Sequence, residues 1–264
     1  MWPIVAEFDG FSLRGFGVLG ALAFLVTTAI GAWRAQRLGI PPARSVDLSA
    51  FVALCALVGA RGLWVWQHPA VWGDVVAMVN LRNGGLVFYG AMILGFPAGI
   101  GWMWATRMPI LAVLDVWATA LPWGHAVSRI GCFLAGCCYG VPWAGWGGLT
   151  FSHPASSAPQ GVALFPSQLA EAGWLVLVAL ATWRVWQVGL RPGRALATYL
   201  GLYAVGRLLL EGFRGDPERG SFMPTVLGEW LSFSQGLSLC VVGAVLLWWV
   251  MGRSTATNLR DGSG

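Results

Sequence analysis

Apolar residues in this chain come in long, nearly unbroken runs rather than on one face of an alternating pattern. A stretch of about twenty apolar residues is what an α-helix needs to cross the hydrocarbon core of a bilayer. Seven windows approach that length: Phe16–Trp33, Leu48–Trp66, Leu86–Trp104, Ile110–Val127, Gln168–Trp186, Ala195–Leu210 and Leu227–Val250. The runs are too long for ordinary strands, and the dyad alternation of a membrane barrel is missing. The pattern predicts an all-α, polytopic membrane protein with seven transmembrane helices. It divides into a transmembrane domain over residues 1–252 and a polar, cytoplasmic tail over 253–264.

The segments between the runs set the expected orientation. Arg34, Arg37 and Arg44 fall in the first connection, Arg107 in the third, Arg184, Arg191 and Arg194 in the fifth, and Arg253 and Arg260 in the tail. The other side collects Glu7, Asp9, Asp74, Asp216, Glu218 and Glu229. The positive-inside rule then puts the N-terminus outside and the C-terminus in the cytoplasm. The first residues, MWPIVAEFDG, lack the basic n-region of a cleavable signal, so the first run is expected to stay as a helix. Connection 141–167 is rich in Trp, Gly, Pro and Ser and reads as an irregular loop on the outer side.

Composition agrees. Hydrophobic residues make up 57% of the chain and charged residues 10%, against about 25% charged in soluble domains. Mean hydropathy is +0.67. The seventeen tryptophans suit an interfacial aromatic belt. Lysine is absent, and the net charge of +5 rests on arginines scattered at segment ends. That scatter leaves no basic patch, which excludes nucleic acid as a partner.

Against this background a few polar residues are expensive. An ionisable side chain inside a spanning segment costs about 2.5–3.5 kcal/mol on insertion scales and marks a functional site by default. Arg61, Asp115, Arg129, Arg207 and Glu211 meet that description. Arg207 and Glu211 are four apart, hence on one helix face, with Arg214 about a turn beyond. One reading is an internal ion pair that holds helices together. The other is a group of arginines converging on an anion, since guanidinium binds phosphate bidentately. Asp115 is expected to pair with one of the arginines.

His125–Gly140, HAVSRIGCFLAGCCYG, concentrates reactive groups. Placed at the outer end of the fourth span, Cys132, Cys137 and Cys138 fit a disulfide, inert packing or a reactive thiol near Arg129. Their C-x4-C-C spacing, even with His125 added, matches no standard zinc pattern, so no metal is expected. His125, four residues before Arg129, fits either a packed neutral ring or a base near neutral pH.

Several motifs together resemble one family, the prolipoprotein diacylglyceryl transferases of the bacterial inner membrane. They are VGARGLWVW, NGGLVFYGAMILG, SRIGCFLAGCCYG, FPSQLAEA, YAVGRLLLEGFRGD and SFSQGLSL, in that order along nearly the whole chain. The resemblance implies seven spans in the inner membrane and no cofactor. It also implies transfer of the diacylglyceryl group of phosphatidylglycerol to the lipobox cysteine of secreted prolipoproteins, releasing glycerol phosphate. By position, Arg129 and Arg207 are the implied headgroup-binding and catalytic arginines, and Gly140 closes the motif that Arg129 opens. Tyr203, Arg207, Glu211 and Arg214 match the family's Y-x3-R-x3-E-x2-R pattern, and Arg61 joins the implied substrate-binding set. Tyr89 stands where the family has the histidine usually taken as base, Cys132 at an asparagine, Cys137 at a glutamate and Phe16 at a tyrosine. Tyr89 and His125 are therefore the two candidates for the base. Two other readings fit these replacements: a lipid-binding protein without the transfer, and a transferase with a different acceptor that works through a cysteine.

Overall fold

The computed structural model describes residues 2–8, 11–81, 84–189, 191–216, 221–224 and 230–261. Asp9, Glu218, Glu229 and the expected start of the last span at Leu227 lie outside them. In order, the elements are β1 (Ile4–Phe8), β2 (Phe11–Arg14), α1 (Gly15–Ala35), α2 (Pro42–Gln67), α3 (Val75–Val79), α4 (Phe88–Ala105) and α5 (Ile110–Ala135). There follow β3 (Leu149–Thr150), β4 (Ala163–Leu164), α6 (Ser167–Gln187), α7 (Arg194–Glu211), β5 (Ser221–Pro224), β6 (Trp230–Ser232) and α8 (Phe233–Asp261). A long helix occupies each of the seven windows. Four segments are long and apolar enough to cross a membrane: Gly15–Leu38, Pro42–Gln67, Ile110–Ala135 and Ser167–Gln187. Within α8, Ser234–Trp249 is a shorter apolar stretch. The helix then continues through the expected tail as far as Asp261.

Three antiparallel hairpins, β1–β2, β3–β4 and β5–β6, stand outside the helical reading. The first pairs Ile4–Phe8 with Phe11–Arg14 in antiparallel register. The connection expected to be irregular is instead folded around β3–β4, with Phe151, Ala158 and Leu164 buried and Phe133 and Tyr139 packed on them.

The chain divides into two compact units, residues 28–114 and residues 1–27 with 115–264. In the first, α2 and α4 pack through small residues. A Cβ on Gly59 would run into the Gly90 carbonyl, and one on Gly90 into the Gly59 carbonyl. Further along, Gly95 faces Ala56 and Gly99 faces Val52, each 3.0 Å from an added Cβ. Such seams let helix backbones approach where lipid offers no hydrophobic drive.

The second unit carries the polar residues. The first half of α1 lies along α5, where Gly131 leaves 3.1 Å between an added Cβ and Leu19. At the other end of the bundle Asp115, near the start of α5, accepts the Gly193 N–H at 2.7 Å and the Leu196 N–H at 2.8 Å. Those are unpaired donors of the first turn of α7, so the carboxylate caps that helix and meets its positive dipole end. The expectation of an arginine partner for Asp115 is thereby corrected. Trp174 of α6 donates its indole N–H to the Leu202 carbonyl at 2.9 Å and lies across Gly206, where no larger residue fits.

Candidate anion-binding site

The fourth window was expected to end near Val127, but α5 runs on to Ala135. Arg129 and Cys132 are therefore held on the helix itself. The helix stops in a Schellman motif. Gly136, at φ 74°, donates its N–H to Phe133 at 3.2 Å, and Cys137 donates to the Cys132 carbonyl at 3.1 Å. Cys138 follows with φ 55°. This turn is tied to the start of α6, where Gln168 donates to the Cys137 carbonyl and Ser167 to the Cys138 carbonyl, both at 2.8 Å.

One turn into α6 stands Glu171, and three arginines gather on it. Arg129 Nε lies 2.7 Å from Oε2, an ion-pair contact whose N–H does not line up as a hydrogen bond. Arg207 Nη1 donates to Oε1 at 3.1 Å, and Arg214 Nη1 lies 3.6 Å from the same oxygen. Arg207 also reaches Glu211 at 2.8 Å and the Ser234 hydroxyl of α8 at 3.2 Å. Arg214 grips Asp216 bidentately at 2.9 and 2.7 Å. Glu171 is 8% exposed and Glu211 1%. Three guanidiniums thus meet three carboxylates among the described residues, which is how buried charges are tolerated at all. Arg129 differs from the other two. Its one ion-pair contact among the described residues is through Nε, to Glu171.

Beside this cluster Tyr203, Gly206, Arg207 and Leu210 of α7 form a small cleft with Glu171, Trp174 and Leu175 of α6. The His125 ring packs against Tyr203, centroids 5.5 Å apart. Gly140 plays a backbone role. It bridges Arg214 in an antiparallel pair, and a Cβ there would collide with the Phe165 carbonyl. The glycine lets three chain segments cross beside Arg214: Val141 donates to Phe213, Phe165 to Val141 and Gly215 to Tyr139, at 3.0, 2.9 and 3.0 Å.

The structure thus brings together Arg129, Arg207, Glu211, Arg214, Tyr203, His125 and Gly140. Arg61 and Tyr89 belong to the other unit. Arg61 donates to the carbonyls of Ala77, Met78, Gly84 and Gly85 at 2.7–2.9 Å and stacks on Trp64, which anchors the segment between α3 and α4. Tyr89, on the first turn of α4, is 43% exposed. Sequence reasoning passed over Glu171, the residue all three arginines share. Its signal was present, because a carboxylate one turn inside an apolar run carries the same insertion cost as Glu211. All five cysteines are free, and the Sγ atoms of Cys132, Cys137 and Cys138 lie within 4.8 Å of one another.

Fold and site define a helical protein with several membrane-length segments and a buried cluster of arginines and carboxylates. The sequence model described as prolipoprotein diacylglyceryl transferase matches residues 3–251, and the chain belongs to that family. Among similar proteins, the phosphatidylglycerol–prolipoprotein diacylglyceryl transferase of Gloeobacter violaceus is 30% identical, covering 96% of this chain and 94% of that protein. The protein of the same name from Clostridium tetani and the phosphatidylglycerol–prolipoprotein diacylglyceryl transferase 2 of Clostridium perfringens are 27% and 28% identical. These cover 92% and 93% of this chain and 94% and 93% of their own length.

Proposed function

We propose that this chain moves the diacylglyceryl group of phosphatidylglycerol onto the lipobox cysteine of a prolipoprotein, releasing glycerol phosphate. The observation that carries the reading is the convergence of Arg129, Arg207 and Arg214 on one carboxylate, Glu171. A lipid phosphate entering there exchanges with carboxylate contacts and engages the terminal nitrogens of Arg129. In the transfer, the acceptor sulfur attacks the glyceryl carbon and the carbon–oxygen bond to phosphate breaks. The negative charge that gathers on the leaving glycerol phosphate is stabilised by Arg129 and Arg207. The thiol proton passes to His125, whose packing on Tyr203 beside the cluster supports it as base. On this reading Tyr89 does not take the proton.

The chain sits in the bacterial inner membrane with seven spans, its N-terminus and the 141–167 connection outside and its C-terminus inside. The arginine distribution supports this orientation.

The direct test supplies purified protein with phosphatidylglycerol vesicles and a lipobox peptide, and follows glycerol phosphate release and peptide mass. Wild type is expected to turn over. Arg129→Gln and Arg207→Gln each should lower the rate about 10²–10³-fold, the cost of losing one donor to a developing oxyanion. Full activity in His125→Ala would move the base elsewhere. No release by wild type, with the lipid still bound, would make this a lipid-binding member of the family without the transfer.

A further inference from the structure

Three thiols within 4.8 Å of one another are more than the transfer needs. The mechanism above uses none of them. Their closeness is built by the backbone. Cys132 occupies the last turn of α5, the Schellman turn at Gly136 reverses the chain, and Cys137 returns over the Cys132 carbonyl. Cys138 accepts a left-handed φ of 55°, a conformation few residues with side chains adopt, and this keeps its thiol with the other two. Ser167 and Gln168 then fix the carbonyls of Cys137 and Cys138 from α6. The result is a preorganised set of three sulfur donors, half-buried or buried.

We propose that Cys132, Cys137 and Cys138 form a trigonal three-thiolate site for a soft monovalent cation, Cu(I), beside the arginine cluster. Metal–sulfur bonds of about 2.3 Å in a trigonal plane place the sulfurs about 4 Å apart, within the observed separation. Soft thiolates select Cu(I), zinc or iron–sulfur centres. A closed zinc site wants four ligands, and among the described residues no histidine or carboxylate joins the group. Three-coordinate Cu(I) needs no fourth. Binding moves no electrons: the remaining thiol protons leave to solvent as three sulfur–metal bonds form. Three thiolates and one cation carry two negative charges. Arg129, three residues before Cys132 on α5, and Arg214, whose backbone pairs with Gly140 two residues after Cys138, supply positive charge nearby.

The site stands independently of the transferase reading, so its test uses metal and not activity. The full chain, purified in detergent and reduced under anaerobic conditions, is titrated with Cu(I) against a competing chelator. The ultraviolet thiolate-to-copper charge-transfer band is the readout. One equivalent is expected to bind and raise the band. Cys132→Ser, Cys137→Ser and Cys138→Ser should each lose it, while a Cys55→Ser/Cys240→Ser variant keeps it. Copper uptake unchanged in a Cys132→Ser/Cys137→Ser/Cys138→Ser variant would overturn the site. So would a thiol count of three instead of five in the protein as purified, before reduction, with the missing pair mapped to this cluster, because the thiols would then rest as a disulfide.

Discussion

Glu171 faces three guanidiniums, and its charge is what lets them lie together. Removing one partner of a buried ion pair leaves the others uncompensated and typically costs about 3–5 kcal/mol. Glu171→Gln is therefore expected to lower the melting temperature in detergent more than a change at an exposed site. An anionic phospholipid should restore more of the loss in this variant than it adds to wild type, since phosphate substitutes for the missing charge. An equal lipid effect on both proteins would mean that the arginines do not take the headgroup. At this scale the sequence was informative about which residues are unusual. It did not show what they face: Arg61 and Arg207 look alike as arginines in apolar runs, yet one holds backbone carbonyls and the other holds carboxylates.

Between helices, small contacts settle position. The Asp115 carboxylate caps α7 across a sequence separation of 78 residues, so no local pattern announces it. Asp115→Ala is expected to cost about 1–2 kcal/mol, as for a lost N-cap with buried donors. Melting in detergent measures it, and activity per folded molecule should be kept. In the other unit, the mutual approach of Gly59 and Gly90 tolerates no larger side chain. Gly90→Leu should force α2 and α4 apart and raise protease sensitivity within residues 28–114, whereas Gly101→Leu, which has open space, should not. Hydrophobic runs placed every long helix, because spanning length is a local property. They missed the extension of α5 through Ala135, since the polar residues there looked like an exit from the membrane. Burial against α6 and α7 compensates those residues, and that compensation is tertiary.

For the whole molecule, helices of 18 residues such as α4 and α7 rise about 27 Å, close to the bilayer core of about 30 Å. The proposed orientation predicts which surfaces an impermeant maleimide reaches. In spheroplasts, Trp146→Cys should label above the wild-type level, because this side chain is fully exposed in the 141–167 connection. Gln36→Cys, exposed in the first connection, should label only after permeabilisation. The reverse result would invert the protein and place the arginine cluster near the other leaflet.

What the sequence determined by itself is the helical, membrane-spanning plan and the identity of the costly residues, because both follow from local hydropathy and insertion cost. The family motifs added which arginines to watch. Only the tertiary structure decided how those charges are shared: three arginines on Glu171, Asp115 on a helix end and three cysteines on one turn. The reason is that electrostatic pairing depends on distance between helices, and residues far apart in sequence come within about 3 Å only when the helices pack.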